Sequence, residues 1–138
     1  MSEVLAEIIQ NSPQNEARIK LISKSVSPIP LRPNAIKRCL TNLIDNALRY
    51  GTRVQIHVTE INTDVEILIE DNGPGIPEES REEVFKPFFR LDDARDPNTA
   101  GAGLGLAIAR DVARGHGGDI LVRDSSMGGL CVILKLPL

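Results

Sequence analysis

The stretch CLTNLIDNALRYG, residues 39–51, belongs to a helical pattern that runs from about Asn34 to Tyr50. With about 100° of rotation per residue, one side of this helix is apolar and is expected to face a sheet. That side consists of Ile36, Leu40, Leu43, Ile44 and Ala47. The opposite side is polar and carries Arg38, Asn42, Asp45, Asn46 and Arg49. This polar stripe is either a solvated helix face or one wall of a binding site.

Composition limits the class of protein. The chain has 138 residues, 41% of them hydrophobic, and a formal net charge of -3, which predicts one soluble domain with a single core, residues 1–138. Lys and Arg are not clustered as phosphate-backbone binding requires, so we expect no nucleic-acid partner. Cys39 and Cys131 are far apart and are interpreted as reduced thiols. The absence of a signal peptide and of a long apolar run predicts no membrane insertion of this domain.

Hydrophobic periodicity predicts the remaining elements. A helix is expected over residues 3–10, a strand over 17–23 and an extended piece at 27–31. Two alternating segments, 52–61 and 65–71, predict a hairpin across NTD at 62–64. A third helix over 103–115 precedes two closing strands, 119–124 and 129–138. This order predicts an α+β fold, a two-layer α/β sandwich whose mixed, mostly antiparallel sheet has helices on one face and water on the other.

A long segment, residues 73–102, interrupts this pattern between the second hairpin strand and the third helix. Connections of this length are usually functional or disordered, and a simple surface insertion is the alternative. Glycine-rich turns lie at its two ends, DNGPGI at 71–76 and AGAGLGLAI at 100–108. The second turn runs directly into a helix, so its backbone N–H groups and the positive end of the helix dipole are available to an anion.

Asparagines and one aspartate indicate what this anion could be. Mg²⁺ prefers oxygen ligands and takes few of them from protein when phosphates and water supply the rest, so the amide oxygens of Asn42 and Asn46 suit a Mg-nucleotide site. Asp71 has the strand parity of the apolar residues Val65, Ile67 and Ile69 and is expected to point inward. An inward carboxylate would accept a hydrogen bond from the amino group of adenine and reject the carbonyl oxygen of guanine.

Four motifs with these residues resemble a known family. NLIDNALRYG, DNGPGI, FKPFFR and GAGLGLAI resemble the N, G1, F and G2 boxes of the ATP-binding catalytic domain of bacterial sensor histidine kinases. RGHGGDI and GGLCVILKLPL resemble the end of that domain. The resemblance spans about residues 33–137 and is strongest to kinases of the osmosensor type. It implies the Bergerat fold, with residues 73–102 as an ATP lid, and a cytoplasmic domain of a parent protein anchored in the inner membrane.

The resemblance also implies roles for individual residues. Asn46 would be the principal Mg²⁺ ligand with Asn42 beside it, and Arg49 would reach the phosphates. Asn42, Arg49 and Arg90 would act in catalysis. The remaining nucleotide contacts would come from Tyr50, which borders the nucleotide, Asp71, which holds adenine, Gly73 and Gly75, which shape the base pocket, and Arg90, Leu91, Ala102, Gly103, Leu104, Gly105 and Leu106. Many relatives have threonine at the position of Ala102, so only a backbone contact to phosphate is expected there.

The function implied is transfer of the γ-phosphate of Mg-ATP to a histidine on a separate helical dimerisation domain. Neither His57, on the polar side of a strand, nor His116, in a turn, has the setting of that histidine. The phosphoacceptor domain is therefore expected outside this chain, as one partner beside a downstream response regulator, and autophosphorylation is not expected without it. The alternatives are a clamp-type ATPase and a nucleotide-sensing interaction module. Clamp ATPases place a glutamate base four residues before the metal asparagine, where this chain has Asn42.

All three phenylalanines, Phe85, Phe88 and Phe89, fall in the proposed lid. Aromatic side chains beside a mobile loop often mark a docking site, where binding energy concentrates. We therefore predict that at least one of Phe88 and Phe89 contacts the phosphoacceptor domain, which would couple lid closure to phosphoryl transfer. The alternative is that all three rings only attach the lid to the domain.

Overall fold

The structure is a computed structural model that describes residues 2–10, 18–23, 32–73, 75 and 102–137. Its helices are α1 (Ser2–Gln10), α2 (Pro33–Tyr50) and α3 (Ala102–Gly115). Its strands are β1 (Ile19–Ser23), β2 (Val54–Ile61), β3 (Asp64–Asp71), β4 (Asp119–Asp124) and β5 (Leu130–Pro137). Every helix and strand predicted within these ranges is present, with ends that differ by at most two residues. The extended piece predicted at 27–31 lies outside the described residues.

One mixed sheet forms the first layer, with strand order β1-β2-β3-β5-β4. β1 and β2 are parallel, and the other three neighbouring pairs are antiparallel. The helices form the second layer, in which α1 contacts β1, α2 contacts β3 and α3 contacts β4. The predicted two-layer α+β architecture is therefore confirmed.

The β2–β3 hairpin closes in a tighter turn than the sequence predicted. Asn62 and Thr63 form the turn, while Asp64 already pairs with Ile61 in the ladder. Asn62 has a positive φ of 56°, a conformation that asparagine tolerates better than most residues that carry a side chain. The tight turn fixes the pairing register up to the far end of the hairpin, where Val54 lies opposite Asp71.

Helix α2 buries the side that the sequence predicted. Its predicted apolar residues are each at most 3% exposed: Ile36, Leu40, Leu43, Ile44 and Ala47. Cys39 is buried as well and its Sγ lies 3.5 Å from the carbonyl oxygen of Ala109, so α2 packs against α3 in addition to the sheet. Pro33 occupies the first turn, where its missing N–H is not needed.

The outer face of the sheet is less exposed to solvent than the sequence predicted. One row crosses all five strands there: Ile22, His57, Leu68, Ile133 and Leu121. Ile22 and Leu121 on the edge strands are 37% and 43% exposed, whereas Ile133 on the inner strand β5 is 6% exposed. Both faces of β5 are buried from Leu130 to Leu134, whereas Lys135 and Pro137 near its end are partly exposed. His57 lies on this outer face, as its parity predicted.

Both cysteines are free and buried. Burial raises the pKa of Cys39 to about 12. Burial, followed by the nearby Glu70 carboxylate, raises the pKa of Cys131 to about 11. The reactive species of cysteine is the thiolate, so both side chains act as small apolar groups at neutral pH.

Candidate functional site

Asp71 is the one aspartate or glutamate among the described residues whose side chain is buried, and it is 4% exposed. Its Oδ1 accepts hydrogen bonds from the backbone N–H groups of Gly73, at 2.9 Å, and Leu130, at 3.3 Å. No described residue donates a hydrogen bond to its Oδ2. One carboxylate oxygen is thus fixed by the protein backbone, and the other receives no hydrogen bond from the part of the chain that the structure describes.

The pKa of Asp71 is raised, because the loss of solvation on burial outweighs the hydrogen bonds from Gly73 and Leu130, which lower it. A buried carboxylate with no positively charged partner among the described residues gains from any further donor that reaches it. The amino group of a base fits this requirement, since it can donate a hydrogen bond without bringing a charge.

The β4–β5 turn completes the surroundings of Asp71, and the sequence did not reveal this. A Cβ atom on Gly129 would overlap Asp71 Oδ1 and would lie only 2.6 Å from the backbone nitrogen of Gly73. Only glycine allows this turn to approach so closely that the N–H of Leu130 reaches the carboxylate. The turn itself is closed by the bond from Ser125 N–H to Gly129 O, 2.8 Å.

Asn42 and Asn46 lie on the polar side of α2, and both are half-buried. Neither side chain makes a hydrogen bond to a described residue. Arg49, one turn after Asn46 and almost at the end of the helix, is exposed. Among the described residues, no partner occupies the two amide oxygens, which could bind a cation. Burial raises the pKa of the nearby Asp45 carboxylate, and the Arg49 guanidinium lowers it by less. The two amide oxygens suit Mg²⁺ bound to a phosphate chain, because that ion takes few of its ligands from protein.

Helices α2 and α3 run antiparallel, and two contacts give their register. Arg32 N–H donates to His116 Nε2 at 3.0 Å, while His116 Nδ1 bonds the carbonyl oxygen of Val112 at 2.8 Å. Seven residues along each helix, Cys39 meets Ala109. A further seven residues bring Asn46 level with Ala102, where α3 begins. The positive end of the α3 dipole thus lies beside the polar stripe of α2.

The end of β3 lies next to the end of α2. Asp71 pairs with Val54, the first residue of β2, and only residues 51–53 separate Val54 from α2. Gly75 has a φ of +74°, a conformation that strains most residues with a side chain, and it faces the β4–β5 turn near Gly129. The chain therefore brings together the buried carboxylate, the amide stripe and the start of α3 at one end of the two layers.

Several predicted site residues are described only in part or not at all. Arg90, Leu91, Phe88 and Phe89 lie outside the described residues, as does most of the predicted lid. Tyr50 and the segment from Ala102 to Gly105 are described as helix, without their side chains. The side chain of Leu106 is 6% exposed and belongs to the core, so a contact with a ligand would have to come from its backbone.

Comparison with known proteins agrees with this geometry. Residues 32–138 match the family described as histidine kinase-, DNA gyrase B- and HSP90-like ATPase. The chain belongs to this family.

Similar proteins show which branch of this family the chain resembles. The chain is 41% identical over 122 residues to the sensor histidine kinase GtrS of Pseudomonas aeruginosa, a match that covers 88% of this chain and 25% of GtrS. It is 38% identical over 140 residues to the sensor protein RstB of Escherichia coli, covering 100% of this chain and 32% of RstB. The chain thus spans between a quarter and a third of the length of these relatives.

Solved structures give the same result. The mycobacterial sensor histidine kinase MprB superposes with a TM-score of 0.80 at 30% identity, covering 99% of this chain and 93% of that one. The histidine kinase domain of the E. coli osmosensor EnvZ superposes with a TM-score of 0.71 at 34% identity, covering 98% and 84%. The predicted Bergerat fold and the resemblance to catalytic domains of sensor histidine kinases, which are protein kinases, are confirmed. No helix among the described residues is long and apolar enough to cross a membrane.

Proposed function

We propose that this chain binds Mg-ATP and provides the catalytic domain that transfers its γ-phosphate to a histidine on a separate helical dimerisation domain. The observation that carries the proposal is the buried carboxylate of Asp71, which described backbone N–H groups hold through Oδ1 and leave without a donor at Oδ2. It lies beside a helix whose two asparagine amides make no hydrogen bond to the described part of the chain. One end of the site suits an adenine, and the other suits a Mg-bound phosphate chain.

The base side of the site comprises Asp71, Gly73, Gly75, Gly129 and Leu130. Asp71 Oδ2 accepts the amino N–H of adenine, which distinguishes adenine from guanine because guanine presents an acceptor at that position. The backbone N–H groups that hold Oδ1 fix the direction of the carboxylate before the nucleotide arrives. This preorganisation favours binding because less side-chain freedom is lost when the base enters.

The phosphate side comprises Asn42, Asn46, Arg49 and the backbone at the start of α3. Bound Mg²⁺ would neutralise phosphate charge, with Asn46 as its principal protein ligand and Asn42 beside it. Arg49 and the N–H groups from Ala102 onward orient the phosphates, the arginine as a cation and the helix start as a set of donors. Phosphoryl transfer depends mainly on such positioning and charge neutralisation. Arg90 is proposed to complete this side, with Tyr50 and Leu91 bordering the nucleotide.

Asn42 favours transfer over hydrolysis. A clamp-type ATPase needs a general base to activate water, and a neutral amide cannot take up a proton at neutral pH. An asparagine at position 42, where clamp ATPases have a glutamate, therefore favours keeping the γ-phosphate for transfer to an acceptor. The acceptor histidine and the response regulator are proposed to belong to other segments or chains, and the domain is proposed to be cytoplasmic within a membrane-anchored parent.

The test is an incubation of the chain with Mg-ATP labelled at the γ-phosphate, with and without a helical phosphoacceptor domain of a related sensor kinase. We expect acid-labile label on the acceptor and little free phosphate in its absence. Free phosphate released by the chain alone at a comparable rate would favour the clamp-type ATPase. Binding of ATP without transfer to any acceptor would favour the nucleotide-sensing module. An acceptor domain with its histidine replaced by glutamine is the matched control.

The lid phenylalanines provide a second test of the partner. We expect Phe88→Ala and Phe89→Ala, alone or together, to lower the transfer rate much more than the affinity for Mg-ATP, because docking energy concentrates in aromatic contacts. Phe85→Ala serves as a comparison within the same segment. Parallel losses of rate and affinity in the double variant would mean that the rings only attach the lid.

A further inference from the structure

Arg18, just before β1, reaches the end of the helix that carries the phosphate side. Its Nη2 donates to the carbonyl oxygens of Leu48, at 2.7 Å, and Gly51, at 2.6 Å, and its Nε donates to that of Thr52, at 3.1 Å. Carbonyl groups in the last turn of a helix have no partner within the helix. The guanidinium satisfies Leu48 O from a distant part of the chain, and its charge faces the negative end of the helix dipole.

Asn72, the residue after Asp71, binds the same connection between α2 and β2, residues 51–53, by accepting hydrogen bonds from two of its backbone N–H groups. Its Oδ1 accepts from the backbone N–H groups of Thr52, at 2.8 Å, and Arg53, at 3.0 Å. Its Nδ2 donates to Thr52 Oγ1 at 3.0 Å. Thr52 is thereby bonded through its N–H, its hydroxyl and its carbonyl group, the last of these to Arg18.

Gly51 allows the end of α2 to approach the end of β3 closely. A Cβ atom added to Gly51 would lie 2.9 Å from Asn72 Oδ1 and 3.0 Å from the Cβ of Asp71. The end of α2 and the end of β3 therefore approach each other more closely than a side chain at position 51 would allow. The residues bonded by Arg18 and Asn72 are part of this close contact.

We propose that Arg18 and Asn72 are positioning residues that fix the phosphate side of the site relative to the base side, by clamping the 51–53 connection between α2 and Asp71. Asn46 and Arg49 lie in the last turns of α2, on one side of the clamp, and Asp71 lies on the other. ATP has to reach both sides at once. A small change in the angle between α2 and β3 would leave each side intact while preventing one nucleotide from fitting both.

This inference rests on the proposed nucleotide site and has a specific consequence for affinity. Removal of the clamp should weaken ligands that span both sides and should spare a ligand that occupies one. A residue that only stabilised the fold would not separate these two ligands. Mg-ATP is the spanning probe, and adenosine, which can occupy only the base side, is the short one.

The experiment compares Arg18→Met and Asn72→Ala with the parent chain by titration with both probes, at a temperature where circular dichroism shows each variant folded. Arg53→Met is the matched control, because it removes one positive charge from the same connection and leaves the backbone N–H that Asn72 binds. We expect the Kd for Mg-ATP to rise about fivefold to tenfold in either clamp variant, because each replacement removes three hydrogen bonds of the clamp and only part of that loss reaches the nucleotide. The Kd for adenosine should change less than about twofold, and Arg53→Met should resemble the parent.

Equal losses for adenosine and Mg-ATP, or no loss for either, would overturn the proposal. Asn72 is exposed, so its replacement leaves the core intact and keeps the test available if Arg18→Met does not fold. Amide hydrogen exchange provides a readout without nucleotide: the Thr52 and Arg53 amides should exchange faster in Asn72→Ala. Failure of the parent chain itself to bind Mg-ATP would remove the proposed function and this inference together, while unchanged exchange at Thr52 and Arg53 would contradict the clamp alone.

Discussion

The two sides of the candidate site are formed by different kinds of group, backbone N–H groups on one side and helix side chains on the other. On the base side, backbone N–H groups from Gly73 and Leu130 hold the carboxylate of Asp71, which is buried and already aimed. On the phosphate side, the side chains of Asn42, Asn46 and Arg49 extend from one helix, and none of them makes a hydrogen bond with a described residue. Backbone contacts give a fixed geometry suited to a planar base, whereas side chains on a helix can adjust to a hydrated ion. Mutations on the phosphate side should therefore reduce mainly nucleotide affinity, whereas mutations on the base side should also change the stability of the fold.

The largest effect is expected on the phosphate side. Asn46→Ala should weaken Mg-ATP binding by on the order of tenfold or more, since an interaction with a charged partner contributes about 1.5–3 kcal/mol. The fold should persist, because the side chain is on the polar side of α2. Calorimetric titration with and without Mg²⁺ checks this, with Arg38→Ala, an exposed change on the same helix, as the control. An equal loss in the absence of Mg²⁺ would mean that Asn46 does not serve the metal.

On the base side the corresponding change should damage the fold as well as binding. Gly129→Ala places a methyl group where Asp71 Oδ1 and Gly73 N already lie. We expect the free energy of unfolding to fall by about 1–3 kcal/mol, as in other overpacked sites, together with a loss of adenosine affinity. Urea unfolding measures the first and titration the second.

Gly115→Ala is the matched control for that change. A Cβ atom at Gly115 meets nothing within 4 Å, and the residue ends α3 without a positive φ. Its stability should be unchanged or slightly higher, because alanine loses less backbone entropy than glycine on folding. Equal stability of the Gly129→Ala and Gly115→Ala variants would show that the β4–β5 turn does not constrain the carboxylate.

A smaller effect on stability, with a clear effect on specificity, is expected for Asp71→Asn. The pKa of Asp71 is raised by burial, so the folded chain binds this proton more tightly than the unfolded chain does. The parent should therefore lose stability as the pH rises from below the ordinary carboxyl range through the raised pKa. Asparagine cannot ionise, so the variant should lack this loss and be at least as stable as the parent at neutral pH.

Urea unfolding of both proteins across this pH range checks the sign. The same variant should lose preference for adenine over guanine, because its amide can present a donor where the carboxylate presented only acceptors. A variant that is less stable than the parent at neutral pH, or that discriminates the bases as well, would contradict the role of Asp71.

The periodicity of the sequence predicted which side chains face the core, but it did not predict the contacts between distant segments that shape the site. The buried side of α2 and the inward direction of Asp71 follow from local patterns of 3.6 and 2 residues, and both are confirmed. The turn at Asn62 was predicted one residue too long, because the pattern does not fix where pairing begins. Arg18, Asn72 and Gly129 escaped sequence reasoning, since their partners lie about 20 to 60 residues away and meet them only through the sheet order. A glycine pair and an isolated arginine carry no local signal of such contacts.

The most direct test of the two-sided site is a single set of titrations on the parent chain, with Mg-ATP, ATP without Mg²⁺, and Mg-GTP under the same conditions. Removal of the metal addresses the phosphate side, and exchange of the base addresses the base side. We predict that Mg-ATP binds most tightly and that each of the other two ligands is weaker by about tenfold, equivalent to about 1.4 kcal/mol. Equal affinities for Mg-ATP and Mg-GTP would contradict the assignment of Asp71 to adenine, and with it the two-sided nucleotide site.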